Sequence, residues 1–260
     1  LAYPHFEDAT MHKNDPSSIA ERALAAARKS LTSRFDGAAL AFVSGSIMRG
    51  TGTPASDIDL VVVFARLERA WRESFVEDEF PVEAFVHDRE TLAYFFDQDA
   101  KSGRPIMAHV VATGTIIGAD AELARSIQAD AAELLARGPE PLAGPSYDRM
   151  RYLVSDLADD LRGDRPAAEI AAIAAHLYQQ LADLMLLGRG TWSGNGKWAP
   201  RLLLKLDADL AQAFESAFRQ AVAGNSAPLL ALADAELARH GGHYFAGYRQ
   251  EAPLEARLIG

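Results

Sequence analysis

Three short features of the chain could do chemistry together. Gly45-Ser46 closes an apolar run, Asp57-x-Asp59 comes after ten intervening residues, and Glu83 sits in a later apolar run, FPVEAFV. In a strand, residues two apart point to one face, so Asp57 and Asp59 project together. Two carboxylates on one face are costly without a cation, and oxygen donors of this kind suit magnesium. A neighbouring strand carrying Glu83 into the cluster would supply a third donor. Such a set can hold a pair of ions that stabilise the attacking and leaving oxygens of phosphoryl or nucleotidyl transfer. Gly45-Ser46, read as a turn at a helix start, offers backbone N–H groups and a hydroxyl to a phosphate. Arg49, one turn further on, adds positive charge. Each feature alone has an ordinary use as a cap, a turn or a solvated strand. Their combination in strand context is what points to a site.

The elements that must position these residues are legible in outline. A Ser18-x-x-Glu21 capping box opens a first helix over 18–35. Residues 38–43 read as a strand, followed by the Gly45-Ser46 turn and a brief helical segment with Ile47, Met48 and Arg49. The β-branched run over 57–64 reads as a second strand and 80–86 as a third. Helical patterns cover 89–100 and 120–136. The segment 138–146, GPEPLAGPS, is the best linker in the chain. Beyond it the periodicity is helical over 147–162, 166–187, 200–206, 208–223 and 227–239. Two domains are expected, 1–140 and 141–260.

Composition narrows the chemistry. The chain has 260 residues, a formal charge of −10, 49% hydrophobic residues and no cysteine. Disulfides, thiolate metal sites and cysteine nucleophiles are thereby excluded, so a metal would need carboxylate or histidine ligands. The first residues lack the pattern of a secretory signal, and the longest apolar segment, near 170–187, is interrupted by His176, two glutamines and Asp183. A cytoplasmic protein with no membrane span is expected. Twelve acidic residues against four arginines fall in 57–100. That balance disfavours long nucleic acid and suits divalent or cationic ligands. Residues 185–206 are the opposite, with Arg189, Lys197, Arg201 and Lys205 and no acid.

The stretch GSIMRGTGTPASDIDLVVVF resembles the signature of the DNA polymerase β-like nucleotidyltransferase superfamily: an apolar strand, Gly-Ser, a spacer, Asp-x-Asp, and a later strand with a third acid. The resemblance implies that Asp57 and Asp59 bind Mg2+, two ions in all, that Gly45 and Ser46 hold the phosphates of an NTP co-substrate such as ATP, and that Glu83 is the third acid. In the aminoglycoside adenylyltransferases, to which the chain is similar, the third acid serves as metal ligand or general base. Glu77, Asp78 and Glu79 lie close enough in sequence to compete with Glu83. The implied fold is an α/β (α+β) domain with a small mixed sheet followed by an all-α helical bundle, the plan of antibiotic nucleotidyltransferases. The implied reaction moves a nucleoside monophosphate to a hydroxyl of a small molecule, an aminoglycoside-type antibiotic being the leading candidate, with release of pyrophosphate. The alternative is a non-catalytic nucleotide-binding regulatory or antitoxin-like protein of the same fold. Expected partners are the nucleotide and the small-molecule acceptor, and a homodimer is compatible with the sequence.

Secondary candidates are weaker. Lys197 or Arg201 could reach a triphosphate, with Trp192 or Trp198 stacking on a ring; a helix connection with tryptophan anchors explains the same residues. Asp156, Asp159 and Asp160 read best as a polar helix face. His87 reads as structural, and Tyr94, Phe95 and Phe96 as core.

Overall fold

The computed structural model describes residues 16–53, 55–253 and 256. The chain divides into two compact units, Leu1–Asp99 with Ile106–Arg137, and Ala100–Pro105 with Gly138–Gly260. The first unit holds α1 (Pro16–Ser33), β1 (Leu40–Ser44), β2 (Ile58–Val63), β3 (Trp71–Glu77), β4 (Phe80–His87), most of α2 (Arg89–Ser102), α3 (Ile106–Thr113), β5 (Thr115–Gly118) and α4 (Ala121–Arg137). The strands form one mixed sheet in the order β3-β4-β2-β1-β5, in which β2 and β4 are parallel and the other neighbours antiparallel.

The alternation of the strands gives the sheet two buried faces, as expected of a sheet covered by helices. Ala41, Val43, Ile58, Leu60, Val62, Val82, Ala84 and Val86 form one core with Ala23, Ala26 and Ala27 of α1. The alternate residues Leu40, Phe42, Val61 and Val63 are also fully buried, and α3 packs on β1 and β2. Small alanines on α1 let the helix lie close over the sheet. The cations of α1 and the arginine just after it then reach the β3–β4 hairpin: Arg22 pairs with Glu79, Lys29 with Glu77 and Asp78, and Arg34 with Glu73.

Several elements differ from the sequence reading. Helix α1 begins at Pro16, so Ser18 stands inside its first turn and not at the N-cap. Proline is well suited to that first position because its missing N–H is unpaired there anyway. Strands β3 and β5 and helix α3 carried too short or too polar a pattern to be read. The β3–β4 hairpin turns on Asp78 and Glu79, both with positive φ (46° and 74°), without the glycine that normally signals such a turn. Residues 46–50 form a turn, closed by Gly50 N–H to Ile47 O (3.0 Å) and Thr51 N–H to Ser46 O (2.9 Å), where a short helix was expected. Tyr94 and Phe95 are not core residues: they are 60% and 39% exposed.

The second unit is helical: α5 (Gly144–Asp160), α6 (Ala167–Leu187), α7 (Trp198–Leu206), α8 (Ala208–Val222) and α9 (Ala227–Arg239). Its core gathers Leu177, Leu181, Leu184, Phe214, Leu229 and Leu237 among others. Helix α6 is long and apolar enough to cross a membrane by length and composition, yet it forms the centre of this core, with ten buried residues from Ile170 to Leu187. Two buried acids tie the unit together. Asp183 accepts from Arg104, Gln179 and Ser193. Glu236 takes both guanidinium nitrogens of Arg189 (2.7 and 2.8 Å) and lies 3.1 Å from His240 Nε2, whose Nδ1 is 2.8 Å from the Tyr147 hydroxyl. Burial works against the ionised form of Glu236, but Arg189 and His240 outweigh it and hold the carboxyl below its ordinary range. Asp159 and Asp160 pair with Arg162 and Arg165, which accounts for the acidic face of α5.

His87 links β4 to α2, its ring edge-on to Phe95 at 5.0 Å and its Nδ1 3.3 Å from Thr91 Oγ1. Burial pushes it down to about 4, so its contribution to stability is complete above the unfolded value of 6.5 and is lost as pH falls toward 4. Asp99, whose carboxyl receives the Ala108 N–H (2.8 Å), is pushed up to about 6 by burial. Its contribution runs the other way, falling as pH rises from about 4 to 6. His87→Gln should therefore lose less stability than wild type between pH 6.5 and 4 in urea denaturation. Parallel pH profiles for the two proteins would show that His87 carries no linked proton.

Candidate active site

The site is built where three strands meet at one end of the sheet. Because β1 and β2 are antiparallel, the C-terminal end of β1 lies beside the N-terminal end of β2, with Ser44 opposite Asp59. Because β2 and β4 are parallel, Asp59 falls directly opposite Glu83. Asp57 precedes β2 by one residue and shares the side of Asp59. The result is a cluster in which one carboxylate oxygen from each of Asp57, Asp59 and Glu83 lies within 4.8 Å of the others. Asp57 is exposed, and Asp59 and Glu83 are half-buried. Three oxygen donors so close together, open to solvent on one side, fit the donor chemistry of a hard divalent cation.

Gly45 is part of the same construction. Its φ is +114°, and a Cβ there would come 2.9 Å from the Asp57 carbonyl oxygen and 3.5 Å from Asp59 Oδ2. Only glycine lets the β1 turn approach the backbone of the acidic segment so closely. Ser46 follows, half-buried, its Oγ donating to Ser56 Oγ at 2.8 Å. Ser56 Oγ in turn accepts the Thr53 N–H at 2.8 Å, so the hydroxyl of Ser46 is oriented by the loop that leads back to Asp57. Arg49 is exposed, with Nη1 3.5 Å from Ser44 Oγ. Gly45, Ser46, Arg49, Asp57, Asp59 and Glu83 therefore belong to one end of the first unit. Lys197 does not: it is an exposed residue of the second unit, at the N-cap of α7, next to Trp198 over which Arg201 lies at 5.4 Å. Helix α7 starts at Trp198, two residues before Pro200.

The other acids near Glu83 in sequence are engaged elsewhere. Glu77, Asp78 and Glu79 pair with Lys29 and Arg22 of α1. Asp78 and Glu77 raise the affinity of Lys29 for its proton, with Asp78 the larger influence. Of Glu77, Asp78, Glu79 and Glu83, it is Glu83 that the sheet brings together with Asp57 and Asp59.

Sequence reasoning missed Arg72. It lies on the edge strand β3 opposite Phe85, with Ser74 opposite Glu83, so Arg72 is a diagonal neighbour of Glu83. Its guanidinium forms an ion pair with Glu83 and sits 5.2 Å from the centre of the Phe85 ring. The signal available was the alternation of WRESFVE ahead of FPVEAFV, which places Arg72, Ser74, Glu83 and Phe85 on one face once the two segments are paired as a hairpin.

Residues 24–127 match the model of the nucleotidyltransferase domain. No curated protein sequence matches the chain. Among solved structures, a nucleotidyltransferase-like protein from Exiguobacterium sibiricum 255-15 is similar, with 12% identity over 84% of this chain and 76% of that chain and a TM-score of 0.41. The matched segment contains β1 to β5, the Gly45-Ser46 turn that follows β1, and every acid of the cluster. Residues 24–127, which make up most of the first unit, thus carry a nucleotidyltransferase domain.

Proposed function

We propose that the protein is a metal-dependent enzyme that transfers a nucleoside monophosphate from an NTP, ATP being the favoured one, to a hydroxyl of a small molecule such as an aminoglycoside-type antibiotic. The observation that carries this reading is the convergence of Asp57, Asp59 and Glu83 within 4.8 Å beside the Gly45-Ser46 turn, inside a nucleotidyltransferase domain. In the reaction, the acceptor oxygen bonds to the α-phosphorus, the bond from that phosphorus to the pyrophosphate oxygen breaks, and the hydroxyl proton passes to a carboxylate of the site. Asp57, Asp59 and Glu83 would hold two Mg2+ ions, which neutralise the charge that develops on the attacking and leaving oxygens. The turn at Gly45 and Ser46, with Arg49, would hold the outer phosphates and so keep the α-phosphorus in line with the acceptor. The role of the helical unit in this reading is recognition of the acceptor.

Two variants test the assignment. Asp57→Asn keeps the size of the side chain and removes its charge. It should lower acceptor-dependent pyrophosphate release by at least about 10²-fold, the scale on which a single preorganised electrostatic group acts. The assay pairs magnesium and each NTP with a panel of hydroxyl compounds including aminoglycosides and lincosamides. Wild-type rates in the variant would remove the triad from the reaction, and nucleotide binding without release across the panel would favour a regulatory protein. Gly45→Ala places a Cβ against the Asp57 carbonyl at a strained φ, and should cost about 1–3 kcal/mol of stability in chemical denaturation together with turnover. An alanine variant with unchanged stability and rate would show that the close approach is not needed.

A further inference from the structure

We propose that Arg72 is the resident counter-ion of the carboxylate triad, holding Glu83 when no metal is bound and giving it up when a divalent cation enters. The inference rests on the metal-binding reading above and adds a residue that the superfamily signature does not contain. Three carboxylates within 4.8 Å repel one another, and a site that must exist before its ions arrive needs positive charge from the protein. Arg72 supplies it. Its fork reaches diagonally across the β3–β4 pair to Glu83, the member of the triad on the strand next to it.

The geometry also makes the pairing reversible. Arg72 is on an edge strand with its side chain 60% exposed, whereas that of Glu83 is 25% exposed. An ion pair with one solvated partner contributes little net energy, so releasing the guanidinium to water costs little. The Phe85 ring, 5.2 Å from the guanidinium, gives the released side chain a surface to rest on without leaving the sheet. A monovalent, diffuse cation therefore occupies part of the place that a compact divalent cation takes. Glu83 cannot serve both fully, and Arg72 acts as a competitor that lowers the intrinsic metal affinity of the triad. Arg72 is in this sense a positioning residue: it acts on the ions through Glu83.

The test is Mn2+ binding to the full chain without nucleotide, followed by the electron paramagnetic resonance signal of free Mn2+. Arg72→Met keeps an apolar stem over Phe85 and removes the charge. It should bind Mn2+ roughly tenfold more tightly than wild type, the effect of one charge on a divalent ion a few ångströms away under water-like screening. Arg72→Lys, which keeps the charge, should stay close to wild type, and Arg72→Gln serves as the neutral variant if the methionine form does not fold. Asp57→Asn should lose Mn2+ binding. Equal or weaker binding in the folded neutral variants, with Asp57→Asn still defective, would overturn the role of Arg72 and leave the metal site standing. Mn2+ binding that survives Asp57→Asn would overturn the metal reading and this inference with it.

Discussion

The parallel register of β2 and β4 is the constraint on which the rest of the first unit depends. It places Asp59 directly opposite Glu83, and the two-residue step back to Asp57 completes a cluster of like charges. A shift of one residue would turn Asp59 and Glu83 to opposite faces and bury a carboxylate in the α1 core. What holds the register is apolar: Ile58, Leu60, Val62, Val82, Ala84 and Val86 all point at α1 and are nearly or fully inaccessible to solvent. The core on one face therefore fixes the carboxylate cluster on the other. Charge repulsion at the site is borne by a framework whose stability comes from burial elsewhere.

The hairpin β3–β4 is the second support. An edge strand that runs Arg72-Glu73-Ser74 has little apolar face of its own, with Phe75 its main contribution to the core. It is kept in place by β4, by the cations of α1 and by Arg34 just after that helix. Arg34 lies 4.3 Å from the centre of the Phe75 ring and pairs with Glu73, whose carboxyl it holds below the ordinary range with help from Trp71. The same hairpin delivers Arg72 to Glu83. An edge that looks merely polar in the sequence is thus what brings a cation to the triad.

Much of this was legible before the structure, for a physical reason. Strands β1, β2 and β4 are buried and β-branched, so their apolar runs announce them, and the acids within or beside them stand out against that background. The long helices of the second unit were legible because a 3.6-residue period sustained over 13 to 21 residues in α5, α6, α8 and α9 leaves little room for another reading. Strand β3 was not, because its partner face is made of ion pairs and an Asp-Glu turn replaces the usual glycine. Strand β5 has only four residues and α3 only eight, below the length at which a period can be counted. The segment after Ser46 looked helical from its residues, but Gly50, with φ of +69°, closes it as a turn. Tyr94 and Phe95 looked like core by type alone, and type does not say on which side of a helix a residue falls.

The acidity of residues 57–100 takes on a different meaning in the fold. Read as a sum, it suggests a broad field for cations. The fold instead sorts these acids by partner. Glu77, Asp78 and Glu79 are held by α1 and Glu73 by Arg34 just after it, and Asp88 accepts the N–H groups of Leu67 and Thr91 at 2.9 and 2.8 Å. Asp99 caps the start of α3. Once these are set aside, Asp57, Asp59 and Glu83 are the acids in this segment that converge on one another. A cation drawn to this face by long-range attraction would find three converging carboxylates at the strand ends, whereas Glu73, Glu77, Asp78, Glu79, Asp88 and Asp99 are held by arginine, lysine or backbone amides. Local pairing of those acids is what sets the Asp57, Asp59 and Glu83 cluster apart within an acidic segment.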